Sequence, residues 1–334
     1  MTSIPWQKLV AKYQQPDTRR SVWQVVNSFG PYVLLWTLMV WSLRVSYALT
    51  LVLAVFAAGF MIRIFIIMHD CGHGSFLKSQ KASNALGTVC GFLALTPYFQ
   101  WRHNHALHHA HSGNLSKRLQ WDLPMTLTVR EFAALPEWRK LLYRVYRHPL
   151  VLFVLLPPLL FFFGQRLGSP GNGKRERESV ILTNVVLAAL AVGLGLWIGF
   201  KEVLLIQAPI TVMGSIVGVW LFYIQHQYEE TYFKEDEEWD YLFAALKGSS
   251  YYKLHPVLRW FTGNIGLHHV HHLSPRIPNY RLQECHDENP ELQDVPTLTL
   301  KSSLKCATLR LWDEEIERMV GFSKVRGRTS TLQG

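Results

Sequence analysis

Most of the fifteen histidines of this 334-residue chain fall into three short clusters. Neutral imidazole is a ligand for iron, zinc, copper and nickel, and imidazoles at close quarters repel one another when protonated unless a cation binds them. A hydrophobic core needs no such clusters, so their presence predicts metal binding. The clusters are HDCGH with His69 and His73, HNHALHHAH with His103, His105, His108, His109 and His111, and HHVHH with His268, His269, His271 and His272.

The spacing within each cluster suits a helix. Side chains three or four positions apart share one helical face, so the members of a cluster can converge on one point. A single tetrahedral zinc ion needs far fewer ligands than these clusters offer, whereas two metal ions would use them. The eight histidines with this spacing are His69 with His73, His105 with His108 and His109, and His268 with His271 and His272.

In this order the three boxes resemble those of the membrane fatty acid desaturase family. They read H-x3-H, H-x2-HH and H-x2-HH, and the flanking HDCGHGSF, HHAHSGNL and GNIGLHHVHHLSPRIPNY are similar to acyl-lipid desaturases of bacteria and plastids. The resemblance runs from about residue 31 to about residue 289. It implies two non-haem iron ions that use O2 to form a cis double bond in a fatty acyl chain, carried by a lipid or a thioester. Electrons would come from an external donor such as ferredoxin.

The resemblance also bears on His226, which follows the last long apolar segment. By position alone, a single histidine at a membrane boundary is more often an interfacial residue than a ligand. Its context YIQHQ resembles a desaturase position where an additional histidine completes the metal shell, so His226 becomes the ninth candidate ligand. Further residues are candidates for orienting the ligands through hydrogen bonds, or for facing solvent. They are Asp70, His103, His111, Asn264 and His269.

The chain departs from the family pattern just after the second box. An Asp and a Gly are expected there, but after GNL the chain reads Ser116, Lys117, Arg118 and Leu119. The departure leaves the metal ligands unchanged. It concerns the head group of the substrate and the position at which the chain is oxidised.

The composition predicts that membrane helices carry these clusters. Hydrophobic residues make up 49% of the chain and charged residues 17%, and several windows reach the ~20 apolar residues that a transmembrane helix needs. The predicted fold class is an all-α polytopic membrane protein, with four transmembrane helices in two hairpins and a cytoplasmic helical cap that holds the di-iron site. The predicted spans are 25–43 and 47–68, which turn at Arg44, and 180–200 and 203–224, which turn at Lys201 and Glu202.

Two other apolar segments are predicted not to cross the membrane. Residues 85–99 are too few to span it, and residues 148–164 are interrupted by Pro157 and Pro158, which exclude a regular helix. The basic loop 165–179 is expected on the cytoplasmic side. All histidine clusters share one side only if the segment with the two prolines does not cross.

Basic residues predict that both termini are cytoplasmic. The net charge of +10 is explained by Lys and Arg beside the spans, and the first 21 residues lack the apolar region and cleavage site of a signal peptide. Arg63 is expected to snorkel to the membrane interface. The predicted parts of the single domain, placed in a bacterial inner membrane, are a cytoplasmic N-terminus (1–24), the first hairpin (25–68), a cap (69–179), the second hairpin (180–224) and a C-terminal cap (225–334).

Some remaining segments are predicted to carry no metal chemistry. The acidic stretch 229–240 is expected to be a solvated loop, rather than a source of carboxylates that bridge the irons. Residues 298–319 are expected to form an amphipathic helix, and 323–334 a loose tail. The four cysteines form no C-x-x-C pair, which predicts neither a disulfide framework nor an iron–sulfur cluster. Cys71, inside the first box, is expected to be a small buried residue.

Other functions are less consistent with the sequence. The chain has no basic recognition helix, which argues against nucleic-acid binding, and no H-P-G-G or G-x-G-x-x-G motif, so an external electron donor is expected. The alternative within enzymes is a related di-iron hydroxylase of an alkane, sterol or carotenoid. A membrane metal transporter is a minor alternative, because its ligands should lie near the bilayer midplane rather than at the ends of the spans.

Overall fold

The computed structural model describes residues 5–118 and 124–324, so Leu119 and most of the predicted tail lie outside the described residues. The strands are β1 Leu127–Thr128, β2 Tyr251–Tyr252, β3 Thr297–Leu298, β4 Leu311–Asp313 and β5 Arg318–Val320. A π-helical segment covers Leu150–Leu155, and 3-10 turns cover Gly164–Arg166 and Pro290–Leu292. The α-helices are α1 Trp6–Ala11, α2 Thr18–Ser42, α3 Tyr47–His73, α4 Gln80–Leu93, α5 Tyr98–His111, α6 Val129–Ala134, α7 Glu137–Tyr146, α8 Leu156–Phe162, α9 Lys174–Ile198, α10 Phe200–His226, α11 Tyr241–Leu246, α12 Pro256–Phe261, α13 His268–Leu273, α14 Asn279–Glu288 and α15 Leu300–Cys306.

Four of these helices, α2, α3, α9 and α10, are apolar and long enough to cross a membrane. They contain 25 to 27 residues each, which corresponds to ~37–41 Å against a hydrocarbon core of ~30 Å. Helices α2 and α3 pack as one hairpin, α9 and α10 as another, and α3 also packs against α10. They are the four predicted spans, each longer than predicted at the end away from its hairpin turn, so the predicted all-α membrane fold is confirmed.

The turns within the two hairpins differ from each other. The first lies around Arg44, as predicted. The second lies at Gly199, and the predicted turn at Lys201 and Glu202 is wrong because both residues belong to the first turn of α10. Gly199 has a φ of 104°, which glycine adopts without a steric penalty. Glu202 suits its place in α10 because a negative charge is favoured in the first turn of a helix.

Arg63 is buried inside the protein and does not extend into solvent, so the predicted snorkelling is wrong. The residue is only 7% exposed. Its guanidinium lies 3.8 Å from the centroid of the Trp260 ring, and it donates hydrogen bonds to the Trp260 carbonyl and to Asn27. These partners satisfy the cation within the fold, and the contact with the indole face adds cation–π attraction.

The apolar segment 85–99 forms the end of α4 and the start of α5, joined by a break at 94–97. The two helices approach closely because of a glycine: a Cβ atom on Gly87 would lie 2.3 Å from the Tyr98 ring. The Tyr98 hydroxyl donates to the Cys71 carbonyl at 2.9 Å. This bond ties α5 to the last turn of α3, and so sets the second histidine cluster beside the first.

The segment with the two prolines is not one regular α-helix, as predicted: Leu150–Leu155 is π-helical, and the prolines lie in the first turn of α8. The axis of α7 and that of residues 150–166 meet at 54°, and the number of candidate spans rises from four to five only if this bent pair counts as one. Just before the segment, Arg147 donates to Gln227, next to His226. Just after it, the Leu167 carbonyl accepts from Gln100 of α5. Both ends of the segment therefore contact helices that carry histidine clusters.

Residues 298–319 do not form one amphipathic helix, so that prediction is wrong. Helix α15 ends at Cys306, and β4 then pairs in parallel with β1 and antiparallel with β5. All three residues of β4 are buried, whereas an amphipathic surface helix keeps one face in water. The acidic residues between β4 and β5, including Glu317 with a φ of 49°, form the turn.

The N-terminal segment packs against the C-terminal region. Tyr13 donates to Glu288 at 2.6 Å. Gln24, in the second turn of α2, exchanges two hydrogen bonds with Asn279 at 3.1 and 3.2 Å. The start of the chain, the C-terminal region and the histidine-bearing helix ends therefore lie on the same side of the bundle.

Candidate metal centre

Four helices bring the nine predicted ligands to this side of the bundle. His69 and His73 occupy the last turns of α3, which ends at Gly74 in a left-handed conformation with a φ of 69°. His226 is the last residue of α10, and His268 is the first of α13. The other ligands lie on α5 and α13. The end of α3 after His73 follows from the glycine, because that backbone conformation is strained for other residues.

The ligand nitrogens gather in two groups, and within each group one nitrogen from every histidine lies within 4.8 Å of the others. Pairs four positions apart stay together, whereas the member three positions away joins the other group. The second and third clusters are therefore each divided between the two groups. The spacing had predicted that the members of each cluster converge on one point, and for these two clusters that prediction is wrong. The first histidine group is His69, His73, His105, His109 and His271, and the second histidine group is His108, His226, His268 and His272.

The closest approaches in both groups are between Nε2 atoms. In the first group, Nε2 of His109 lies 3.1 Å from that of His105 and 3.0 Å from that of His271. In the second group, Nε2 of His226 lies 3.1 Å from that of His108 and 3.0 Å from that of His268. Imidazoles from different helices thus point the same nitrogen into one small volume.

These groups fit metal ions in both protonation and hydrogen bonding. Nε2 atoms of His69, His73 and His272 are buried without a hydrogen-bond partner, a costly arrangement unless a ligand takes their lone pairs. No carboxylate of the described residues belongs to either group. Burial, followed by repulsion from neighbouring imidazoles, lowers the pKa well below the usual 6.5 for His105, His109, His268, His271 and His272. Neutral imidazoles are the form that binds a metal.

Asp70 orients a ligand of the first group. Its Oδ1 accepts from Nδ1 of His69 at 3.0 Å, which leaves Nε2 of His69 for the metal. Its Oδ2 accepts from both the backbone N–H and the side-chain amide of Asn279, at 2.7 and 2.8 Å. Asn264 in turn donates to the Asn279 carbonyl at 2.9 Å. Asn264 therefore acts on the centre through two intermediate residues.

In the second group, His226 is oriented by a backbone carbonyl. Its Nδ1 donates to the Gly248 carbonyl at 3.0 Å, so Nε2 faces the other histidines. Aromatic rings cover two further ligands: Trp101 stacks on His105 with ring centroids 4.4 Å apart, and Phe222 lies 5.0 Å from His108. These contacts hold the imidazoles in place before any metal binds.

A mainly apolar cavity of about 290 Å³ leads to both groups. Its walls include Met61 of α3 and Gly218 of α10, about two turns or more from the ligands on those helices, and Leu160 of α8. At its inner end it reaches His69, His105, His108 and His268. The cavity therefore connects the apolar interior of the bundle with the candidate metal centre.

Comparison with known proteins gives the family. The fatty acid desaturase family model matches residues 42–299, which include all nine histidines. The chain belongs to the fatty acid desaturase family. It is 48% identical over 319 residues to a fatty acid desaturase of Bacillus subtilis, covering 96% of this chain and 90% of the relative.

More distant relatives in the desaturase family extend the comparison. The chain is 29% identical to the sn-1 acyl-lipid omega-3 desaturase (ferredoxin) of Synechocystis, over 66% of this chain and 62% of the relative. It is also 29% identical to the endoplasmic reticulum omega-3 fatty acid desaturase of Vigna radiata, over 66% of this chain and 60% of the relative. The match spans about three fifths of these two desaturases.

Three other histidines of the desaturase boxes lie outside both groups. His103 is exposed on α5, and His111 lies at its end beside a small pocket of about 60 Å³. His269 is fully buried and its Nε2 lies 3.2 Å from Nδ1 of His286. Burial lowers the pKa of His269 to about 3. Neither residue belongs to a metal-binding group of the described residues, so the pair packs as a polar contact under α13.

The other segments singled out in the sequence lie apart from the metal centre. Residues of the acidic stretch make surface ion pairs, for example Glu229 with Lys305 and Asp236 with Lys117. Ser116 donates to Glu235 in the same surface region. The four cysteines, including Cys71, are free and buried.

Several residues that support the desaturase site were not singled out from the sequence. Asn279 holds Asp70, Gly248 holds His226, and Trp101 packs on His105. A signal existed only for Asn279, which lies in the SPRIPNY end of the third box. The roles of Gly248 and Trp101 depend on tertiary contacts that spacing along the chain does not reveal.

Proposed function

We propose that this desaturase uses two iron ions, held by the two histidine groups, to form a cis double bond in the fatty acyl chain of a membrane lipid. The observation that carries the proposal is the convergence of nine imidazole nitrogens, in two adjacent groups, at the inner end of an apolar cavity. The ligand set is the one proposed from the sequence: His69, His73, His105, His108, His109, His226, His268, His271 and His272.

The chemistry of the donors agrees with iron. Imidazole suits iron among other metals, and the family supplies the choice between them. Bound iron would supply, with O2, the oxidising power that side chains lack for removing hydrogen from an unactivated methylene. In the overall balance, O2, two electrons, two protons and two hydrogen atoms of the acyl chain become two waters and one double bond.

The protein's own residues would bind and position the acyl chain. Met61, Leu160 and Gly218 line the apolar cavity, where methylene groups are favoured over water. Trp101 packs beside His105 at the inner end of the cavity. An acyl chain in this cavity would present its methylenes to the side of the metal centre that His69 and His268 bound. The apolar walls of the cavity would exclude water.

A lipid-bound acyl chain and a ferredoxin donor are the preferred substrate and partner. The name of the Synechocystis relative includes both an acyl lipid and ferredoxin. The cavity of this protein lies among helices long enough to cross a membrane, which suits an acyl chain that enters from the lipid bilayer. A ferredoxin that docks beside the histidine-bearing side would be attracted by the net positive charge of the protein.

We place the histidine groups and both termini on the cytoplasmic side of a bacterial inner membrane. Two observations support this orientation. The N-terminal segment contacts the C-terminal region through Tyr13 and Glu288, so both lie on one side. The basic start of α9, with Lys174, Arg175 and Arg177, lies at the end of that helix nearest α5, and basic flanks favour the cytoplasm. The segment 148–164, with both ends near histidine-bearing helices, would not cross.

The test is the fatty acid profile of a desaturase-deficient bacterial host that expresses this chain. Gas chromatography with location of the double bond should show a new unsaturated acid, and purified protein should contain iron. The His271→Ala variant should lose the product, whereas His103→Ala, a change of an exposed histidine on α5, should keep it. A hydroxylated product would favour the hydroxylase alternative. An unchanged profile from iron-loaded protein supplied with ferredoxin would contradict the proposal.

A further inference from the structure

A second and larger cavity opens between the two hairpins, away from the histidine groups. Its volume is about 1410 Å³, against about 290 Å³ for the cavity that leads to the centre. We call it the interhairpin groove: α2 lines one wall, α9 the other, and α10 contributes residues such as Gln207. Val33 of α2 and Leu190 of α9 are exposed in it, so the protein itself leaves this apolar surface uncovered.

The groove follows the membrane-crossing helices over a long distance. Along α9 its lining extends from Asn184 to Ile198, which is ~21 Å at 1.5 Å per residue. One leaflet contributes only ~15 Å to a hydrocarbon core of ~30 Å. The apolar part of the groove is therefore long enough for an acyl chain of one leaflet, and its volume leaves room for more than one.

One end of the groove carries a cation without an acidic partner. Arg166 donates to the side chain of Asn184 at 3.2 Å and to the Leu95 carbonyl. Its Nε is buried without a hydrogen-bond partner, and no Asp or Glu of the described residues forms an ion pair with it. A guanidinium has five donors in a planar fork that suits phosphate, so this end of the groove is complementary to a phosphate.

The opposite end is different in charge. Arg44 and Glu202 both line it, so its formal charges sum to zero, whereas Arg166 is, among the described residues, the one charged residue that lines the first end. The polarity of the groove therefore has a direction. A phosphate belongs at the Arg166 end, and hydrocarbon belongs along Val33 and Leu190.

We propose that the interhairpin groove binds a glycerophospholipid, with its phosphate at Arg166 and an acyl chain between α2 and α9. The site is separate from the cavity of the metal centre. The stretch 160–166 separates this groove from the cavity that leads to the metal centre, here called the metal-side cavity. Leu160, Phe161 and Gln165 line the metal-side cavity, whereas Phe162 and Arg166 line the groove. The bound lipid fills the gap between the hairpins that the side chains leave open.

The test measures lipid binding to delipidated full-length protein by native mass spectrometry. The probes are phosphatidylglycerol and a diacylglycerol with the same acyl chains. Phosphatidylglycerol should bind at least ~tenfold more tightly than the diacylglycerol, because only it offers charge-assisted hydrogen bonds to Arg166. Equal binding of the two probes would overturn the proposal.

Matched variants locate the site. Arg166→Gln should weaken phosphatidylglycerol binding by about tenfold, and Arg44→Gln, the same change at the other end, should leave it unchanged. Ala191→Trp, at an exposed position in the groove, should remove the lipid by occupying its volume while Arg166 remains. This variant decides the question if Arg166→Gln does not fold. Binding that survives Ala191→Trp in full would refute the proposal.

A photoactivatable phosphatidylglycerol separates the groove from the metal-side cavity. Cross-links should map to α2 and α9, and cross-links confined to residues around Met61 would contradict the proposal. The His271→Ala variant should bind the lipid as the unchanged protein does. Failure of lipid binding and failure of desaturation can therefore be told apart.

Discussion

Asp70 joins a metal ligand to a distant part of the chain. One of its oxygens accepts from His69, and the other accepts two hydrogen bonds from Asn279. The carboxylate is buried, with 2% exposure, so its charge is stabilised by these donors rather than by water. We expect it to make the His69 imidazole a better donor to a metal.

Asp70→Asn should therefore weaken metal binding without preventing folding. The amide keeps the size of the side chain but cannot accept at both ends from the same donors, and the loss of such a partner costs about 10- to 100-fold in metal affinity. The measurement is the iron retained per chain after equilibration with a chelator. Asp287→Asn, an exposed change on α14, is the control. Equal retention in both variants would show that Asp70 does not orient His69.

Substitutions of two histidines of the third box should have different effects on bound iron. His271 belongs to the first histidine group, whereas His269 faces His286. His271→Gln is expected to lower desaturase activity by more than ~100-fold and to reduce bound iron, because a ligand affects the centre more than a residue that orients one. His269→Gln should retain the iron. Loss of iron in both would mean that α13 fails to fold without His269.

Residue spacing, together with the resemblance to the desaturases for His226, predicted which nine histidines come together, but not how they divide between two groups. His105 and His109 join one group and their neighbour His108 joins the other. Successive residues point ~100° apart around a helix, so the division depends on how α5 is rotated against α3 and α13. That rotation is set by contacts such as the Tyr98 hydroxyl with the Cys71 carbonyl, which the order of residues does not reveal.

At the scale of elements, the close packing of α4 on α5 positions the second cluster. The chain has glycine at residue 87 because a side chain there would meet the Tyr98 ring. The four spans were predictable because ~20 apolar residues leave few other options. The β4–β5 pair was not predictable from the sequence. A short stretch of apolar and charged residues fits a helix or a hairpin equally well, and the pairing of β4 with β1 decides between them only in the folded protein.

Gly87→Ala should destabilise the protein by about 1–3 kcal/mol, the usual cost of adding a carbon to a filled site. The measurement is the thermal unfolding midpoint in detergent, which should fall together with activity. Gly193→Ala on α9 is the control, since a Cβ atom there meets nothing within 4 Å, and it should change stability by no more than ~1 kcal/mol. Equal midpoints for the two variants would contradict the tight contact with Tyr98.

At the scale of the whole molecule, the metal-free protein should become less stable in acid. Burial lowers the pKa of His268, His271 and His272 well below 6.5 in the folded state. Below about pH 6.5 the unfolded chain therefore binds protons that the folded chain does not, so the free energy of unfolding falls as the pH falls. Each such histidine contributes at most about 1.4 kcal/mol per pH unit.

The measurement is the unfolding midpoint of chelator-treated protein between about pH 8 and about pH 5. Protein that keeps its metal should show a smaller decrease until the metal dissociates, because ligand binding stabilises the folded state and competes with protons. A midpoint of metal-free protein that does not change over this range would mean that the buried imidazoles accept protons without cost.

The contact of Gln24 with Asn279, and of Asn279 with Asp70, has a consequence for synthesis in the cell. A nascent chain that has inserted its first hairpin exposes His69 and His73 but lacks α13 and the residue that fixes Asp70. The first histidine group is complete only when His271 has been translated, and the second only when His272 has been. On the proposed function, metal is therefore loaded only after most of the chain has been translated, and a ribosome stalled earlier would leave a membrane-inserted but metal-free product.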